Sequence, residues 1–357
     1  VSVVRRDARR RWLAVVAVVL VLVAIPVAVA RWPVGAVHTD PATLRARILA
    51  SAAVPYQGYV SSQGQVVLPD LPQLGDVTGL FGGTNSMRVW HASATSWRVA
   101  VLQPTGEHDI YQTADAAYTW DYSHNLWTEI IGTTPARLPW AADVLPPDLA
   151  RRFLAGAGPG DELTLLPPQR IAGVDAAGLR LQPTDPDTTV HRLDIWADPV
   201  SGLPLRVDVG GVFTSRFLDL SRVPPTASVV TPDVAGSSSF TSTTSSGVLS
   251  QLNNTFGFED LLPPSLAGHP LVSEPVKGVV AYGAGLSRFV VVPLPGRLGR
   301  QSLDALHNEG GAPVPGGYYV SSAVLTVLVV RPAQRRTYLL AGFVTPTLLQ
   351  AAADELR

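Results

Sequence analysis

Between Thr189 and Gly211 the chain reads TVHRLDIWADPVSGLPLRVDVGG, with apolar and polar residues alternating on either side of a turn at Asp198-Pro199-Val200-Ser201-Gly202. Folding that turn sets Ala197 opposite Leu203, Ile195 opposite Leu205 and Leu193 opposite Val207. The intervening positions match Asp194 with Arg206 and Arg192 with Asp208. One face is apolar and the other carries opposite charges, which is the pattern of an antiparallel sheet covered on one side. A helix would scatter the same residues around its circumference.

The period of two recurs through much of the chain. Strands are expected at Tyr56–Val67, Met87–Ala92, Trp97–Gln103, His108–Thr113, Ala117–Asp121 and Leu126–Ile131. More follow at Leu163–Leu166, Gln169–Val174, Leu179–Pro183 and Phe213–Leu220. Helical spacing appears in two places. Asp40-Pro41 supplies a cap and a first-turn proline ahead of the stripe Leu44, Ile48, Leu49 and Ala52. Pro147-Asp148 opens a second segment with Leu149, Phe153 and Leu154 on one face. The order helix, strands, helix, strands predicts an α+β fold, a curved antiparallel sheet with helices on one face. The stretch Leu68–Ser86 breaks the pattern and reads as a long excursion, either a packed loop or a lid.

From Arg222 to Gly257 the composition collapses to Ser, Thr, Pro and Gly, the pattern of a flexible linker. A smaller second domain is expected beyond it, with strands at Val276–Tyr282, Arg288–Pro293, Val324–Arg331 and Thr337–Phe343. It also has a short helix at Ser302–His307 and a last helix opened by Thr345-Pro346. At the other end, Arg5, Arg6, Arg9, Arg10 and Arg11 precede an uncharged run from Trp12 to Ala30. As a helix that run spans roughly 28 Å, about one hydrocarbon core. It is either a single-pass anchor or a signal peptide ending at Ala28-Val29-Ala30. In both cases the arginines stay inside and the bulk of the chain is extracytoplasmic. The expected organisation is a basic tail (1–11), an anchor (12–30), a first domain (40–222), the linker (223–257) and a second domain (258–357).

Charge and composition narrow the functions. Removing the five arginines and one aspartate of residues 1–11 from 27 basic and 28 acidic residues leaves 22 against 27. An acidic body with no basic stripe argues against nucleic-acid binding. There is no cysteine, which excludes disulfides, thiolate catalysis and cysteine-ligated metal. No phosphate loop, nucleophile elbow or His-Glu-x-x-His is present. Glu107-His108-Asp109 is the densest titratable cluster, but alternation on a strand turns His108 away from its neighbours, so a solvated strand end is expected. His191 reads as a half-buried core histidine, and Asp185 with Asp187 as an acidic turn. The reading is of a protein that is not an enzyme and has no cofactor or metal site.

Ile195-Trp196-Ala197-Asp198 followed by Gly202-Leu203-Pro204-Leu205-Arg206-Val207-Asp208 resembles the hairpin of the MucB/RseB sigma-factor regulatory proteins. Arg170-Ile171-Ala172-Gly173, Tyr282-Gly283-Ala284-Gly285-Leu286-Ser287-Arg288-Phe289 and Thr337 to Leu356 are similar to further segments of that family, in the same order. The match covers Leu163–Leu220 and Leu261–Leu356 and is weak before Leu163. The resemblance implies a first domain like the lipoprotein carrier LolA, an unclosed half-barrel with helices over its concave face, and a small C-terminal sheet-and-helix domain. It also implies a periplasmic protein that senses lipid or mislocalised envelope components and binds a membrane-spanning anti-sigma factor. The anchor, the Leu68–Ser86 excursion and the long linker depart from the family.

The expected function is therefore a membrane-anchored extracytoplasmic sensor or regulator that binds an envelope or membrane protein, with a lipid or acyl chain as ligand. A lipid or lipoprotein carrier and a structural envelope module are the alternatives. Aromatic residues crowd the predicted strands, either as core or as cavity lining. Trp90, Trp97, Val99, Tyr118, Trp120, Phe153 and Leu154 are the candidate lipid-pocket residues, because they lie on the predicted sheet or on its covering helix.

Overall fold

The computed structural model describes residues 11–20, 34–35, 39–65, 79–104, 106–132, 139–234, 239–245, 262–272, 280–322, 324–332 and 336–356. Its largest element is a twelve-stranded sheet. In chain order the strands are β1 (Tyr56–Gln65), β2 (Gly82–Ser93), β3 (Ser96–Gln103), β4 (Gly106–Gln112), β5 (Ala116–Asp121) and β6 (Leu126–Ile131). They continue with β7 (Glu162–Ile171), β8 (Val174–Gln182), β9 (Leu193–Ala197), β10 (Pro204–Val209), β11 (Phe213–Ser221) and β12 (Ser239–Thr244). The spatial order is β12-β6-β5-β4-β3-β2-β1-β11-β10-β9-β8-β7. Two meanders, β1 to β6 and β7 to β11, are thus joined side by side through β1 and β11, with Gln57 opposite Ser221 and Gly64 opposite Phe213.

The sheet is mixed rather than purely antiparallel. β12 comes from the Ser/Thr-rich stretch expected as a flexible linker and pairs parallel to β6 over six residues, Ser239 with Leu126 through Thr244 with Ile131. The end of the expected excursion is also strand: residues 82–86 extend β2 down to a Gly82–Gln65 pair. Residues 68–78 of the excursion, and 66–67 of the strand expected before it, lie outside the described residues.

Helix α1 (Pro41–Ala50) is capped by Asp40, whose carboxylate accepts from the Thr43 amide at 2.9 Å. It buries Leu44 and Ile48 completely. Helix α2 (Pro146–Gly156) buries Leu149, Ala150, Phe153 and Leu154. Both helices pack on the sheet face that carries Val60, Met87, Val89, Val99, Leu179, Leu193, Ile195 and Val207, forming one core. Burial of these side chains contributes about 1.5–3 kcal/mol each, before the entropy of ordering the chain is subtracted.

In the opening hairpin the apolar face is as expected, with Leu193, Ile195, Leu205 and Val207 all fully buried, but the charged face is not open to solvent along β9, where Asp194 and Trp196 are buried as well. The register also differs. Ala197 pairs with Pro204 rather than Leu203, and a bulge at Leu205 adds one residue more, which sets Val207 opposite Ile195 and Val209 opposite Leu193. The shift is by two residues, so each side chain keeps its face, but the expected charge pairs are lost. Asp194 faces Asp208 across β10 and is neutralised from the other side by Arg180, which grips it with two hydrogen bonds of 2.6 and 2.7 Å. Arg206 lies over the Trp196 ring at 4.9 Å. His191 precedes the strand and is exposed, not half-buried.

A separate six-stranded antiparallel sheet follows, in the order Val280–Tyr282, Phe289–Leu294, Thr337–Gly342, Thr326–Val330, Gly317–Ser321 and Ala312–Val314. The last two strands form a hairpin the sequence pattern did not reveal. Helices α4 (Gly296–Asn308) and α5 (Pro346–Asp354) pack on this sheet, and α3 is the single turn Ala227–Val230 between β11 and β12. The two sheets meet along a hydrogen-bonded seam. The Thr189 amide donates to the Phe343 carbonyl at 2.9 Å, and the Thr345 amide to the Asp187 carbonyl at 2.9 Å. Leu286 and Val324 of the second part are buried in the core of the first.

Among the described residues no helix is long and apolar enough to cross a membrane. Residues 11–20 are helical and exposed, and residues 21–30, which complete the expected anchor, lie outside the described residues.

Candidate functional site

A cavity of about 310 Å³ lies between the first meander and the segment leading into α2. Its floor is the helix-covered face of the sheet: Tyr56 on β1, Val89 and His91 on β2, Trp97 and Val99 on β3. Its roof is Ala142, Asp143 and Leu145 from the turn before α2, with Asp148, Arg151 and Arg152 from the helix itself. The prolines at 146 and 147 start the helix where their missing amides are not needed. Asp143 ties down the preceding turn by accepting from the Trp140 amide at 2.7 Å.

The roof charges are paired. Arg151 meets Asp148 at 2.6 Å and Arg152 meets Asp143 at 2.7 Å. Burial raises the Asp148 carboxyl above the usual range, against the pull of Arg151. The floor holds the polar groups that matter most. His91 is buried and stacked on Tyr56, with ring centroids 4.8 Å apart and planes 8° from parallel. Burial, helped by the Arg151 charge, lowers its pKa to about 4. The ring is therefore neutral at pH 7. Nδ1 faces the Val54 carbonyl at 3.1 Å, and a carbonyl can only accept, so the proton sits on Nδ1 and Nε2 is an acceptor. Tyr56 is fully buried, its ionisation is pushed well up by burial, and its hydroxyl has no hydrogen-bond partner among the described residues. An unmade hydrogen bond there costs about 1–3 kcal/mol.

The lining is thus part apolar wall (Val89, Trp97, Val99, Leu145) and part neutral polar group, with paired ions at the rim. It holds no nucleophile–base pair, and among the described residues no cluster of three metal-ligating side chains occurs. The arrangement suits an uncharged or amphipathic ligand. Its volume sits at the lower end of the roughly 300–1,000 Å³ usual for small-molecule sites.

Of the candidate pocket residues, Trp97 and Val99 lie in this lining. Phe153 packs against Phe343 of the second sheet at 5.4 Å and Leu154 is fully buried, both in the core beside the cavity. Trp90, Tyr118 and Trp120 alternate onto the opposite face of the sheet. There Arg98 lies between Trp90 at 4.7 Å and Tyr111 at 5.1 Å, Tyr118 donates to Glu129 at 2.7 Å, and Trp120 stacks on Trp127 at 5.7 Å.

Two features escaped sequence reading. His91, Asp148 and Arg151 stand in no local motif; the cavity gathers them from a strand and a helix far apart in the chain. The cluster at Glu107-His108-Asp109 is not a solvated strand end. Asp109 is fully buried, 2.6 Å from Arg98, with Glu107 on the same arginine at 3.1 Å. Burial and the Glu107 carboxyl push Asp109 up to about 7 despite that arginine. The register of Arg98 opposite Tyr111, two residues beyond Asp109, would have placed these groups together.

No protein-family model matches the chain, and no curated protein matches it in sequence. Solved structures with a similar course include the Pseudomonas aeruginosa MucA/MucB complex, 15% identical, covering 88% of this chain and 97% of that one, at a TM-score of 0.48. MucB in complex with MucA(peri) is 16% identical at a TM-score of 0.47, with the same coverage. LprF from Mycobacterium bovis matches 56% of this chain and all of its own, with 10% identity and a TM-score of 0.32.

Proposed function

We propose that this chain is an extracytoplasmic sensor or regulator that binds an envelope protein and takes a lipid-like, amphipathic ligand into the cavity under α2. The observation that carries the reading is the cavity itself, which joins apolar walls to a buried tyrosine hydroxyl lacking a partner. A ligand with an acyl or other apolar body and one hydrogen-bonding head would satisfy both parts. Each methylene buried would contribute about 0.8 kcal/mol. The resemblance of residues 195–208 to the MucB/RseB hairpin supports a regulatory partner, the membrane-spanning anti-sigma factor that this resemblance implies. The basic tail and the apolar run 12–30 support attachment to the cell membrane by a single pass. The first domain is read as 40–222 and the second as 258–357.

Native mass spectrometry and lipid extraction of the purified full chain test the ligand. The expected result is a co-purifying lipid that is lost from an Ala142→Leu variant, whose larger side chain fills the cavity. Protein that is consistently empty, including after incubation with phospholipid vesicles, would remove the ligand half of the proposal. Capture of a membrane-spanning protein by the full chain from solubilised membranes tests the other half. A chain that binds lipid and no protein would instead be a carrier.

A further inference from the structure

β12 stands apart from the rest of the large sheet. It is the parallel member among otherwise antiparallel pairings, and it is supplied by the Ser/Thr-rich stretch after β11. Five of its six residues are exposed. Phe240 keeps 49% exposure although it is paired with Trp127. Ser242 anchors the strand by donating to Glu129 at 2.6 Å, and Glu129 also accepts from Tyr118 at 2.7 Å.

The strand beneath is different in kind. β6 reads Leu126-Trp127-Thr128-Glu129-Ile130-Ile131, with β-branched or aromatic, strand-favouring residues at four of six positions. Stripped of β12, its outer edge would present a row of unpaired amides and carbonyls. A strong acceptor edge is thus covered by an occupant that buries little side-chain surface.

We infer that the outer edge of β6 is a docking site for an extended segment of a partner protein, with β12 holding the place in cis until that segment displaces it by strand addition. β12 shows the geometry such a segment must meet. It runs parallel to β6, places an aromatic residue in register with Trp127 at Phe240, and brings a donor to Glu129 two residues later. A tethered strand competes at an effective concentration on the order of millimolar, so only a segment with more apolar contact than Ser239–Thr244 displaces it. The main-chain bonds supply affinity and the alternate side chains supply specificity. The inference rests on the reading of the chain as a partner-binding protein. It fails separately from that reading, because the edge is tested with a peptide and the partner by capture from membranes.

The probe is a fluorescent peptide of residues 237–246 carrying Thr241→Val and Thr243→Val. Its anisotropy is followed against three full-length chains. The first is unaltered, and the second has Phe240→Gly and Ser242→Gly to loosen β12. The third has Thr128→Cys and Thr241→Cys, register partners that join as the sole disulfide in a chain without cysteine. The expected result is binding to the loosened chain at least tenfold tighter than to the unaltered one. The locked chain should not bind until it is reduced. Absence of binding to the loosened chain, or equal binding to all three, would overturn the inference. Self-association of the loosened chain without peptide, seen by light scattering, would also overturn it, by assigning the edge to a second copy.

Discussion

Two buried side chains on opposite faces of the large sheet, His91 on β2 and Asp109 on β4, pull the stability of this protein in opposite directions with pH. His91 has its folded pKa lowered to about 4, by burial first and by Arg151 second. Its contribution is complete above the unfolded value near 6.5 and is lost as the pH falls toward 4, a swing of roughly 3 kcal/mol. Asp109 behaves oppositely. Burial and Glu107 raise it to about 7, so the folded chain holds a proton that the unfolded chain releases between about pH 4 and 7. Its contribution is complete below the unfolded value and is lost as the pH rises through 7. Between pH 7 and 5 the two partly cancel, and single variants separate them. His91→Asn should lose less stability than the unaltered chain on acidification from pH 7 to 5, and Asp109→Asn should lose more, both measured as urea midpoints. Identical slopes in all three chains would refute these assignments.

At the scale of elements, the opening hairpin shows what a sequence pattern can carry. Its two faces follow from the alternation alone, because one side of β9 and β10 is sealed by helices and any odd slip would expose it. Leu193→Asp should accordingly abolish folding of the large sheet, since it places a charge in a fully buried position. Arg206→Ala should cost about 1 kcal/mol, the stacking on Trp196 and the hydrogen bond to Gln169. Thermal denaturation followed by circular dichroism distinguishes the two outcomes, and equal damage would mean the faces are assigned wrongly. The register, by contrast, was not legible. The turn and the bulge at Leu205 each shift the pairing by one residue, and the sum of two leaves the faces intact, so no pattern of period two records it. β12 is illegible in the sequence for another reason. Ser and Thr give no apolar alternation, and its pairing is set by an edge more than a hundred residues earlier in the chain. For the cavity, Trp97 and Val99 were legible as sheet residues, whereas His91 and Arg151 become neighbours only through the packing of α2 on β1 to β3.

At the scale of the whole molecule, the two sheets are not independent bodies on a tether. Thr188 and Thr189 bond across the seam to Phe343 and Val324, His269 reaches Asp187 at 3.3 Å, and Leu286 and Val324 complete the first core. Removing the second sheet would open that core to water. Scanning calorimetry of the full chain should therefore show one cooperative transition, and a chain ending at residue 257 should melt lower than the intact protein. Two well-separated transitions, the first sheet melting alike with and without its neighbour, would show the seam to be energetically slight.

The junction of β1 with β11 has a consequence for how the chain reaches this structure. Every other antiparallel pairing in the large sheet joins strands that follow one another in sequence, so each meander can zip from its own turns. β1 must wait for β11, which is synthesised some 150 residues later, and the entropy of closing that long loop is met before any contact across it forms. The middle of the finished sheet is thus the last part of the antiparallel array to be made, and until then β1, already paired with β2, offers an open second edge.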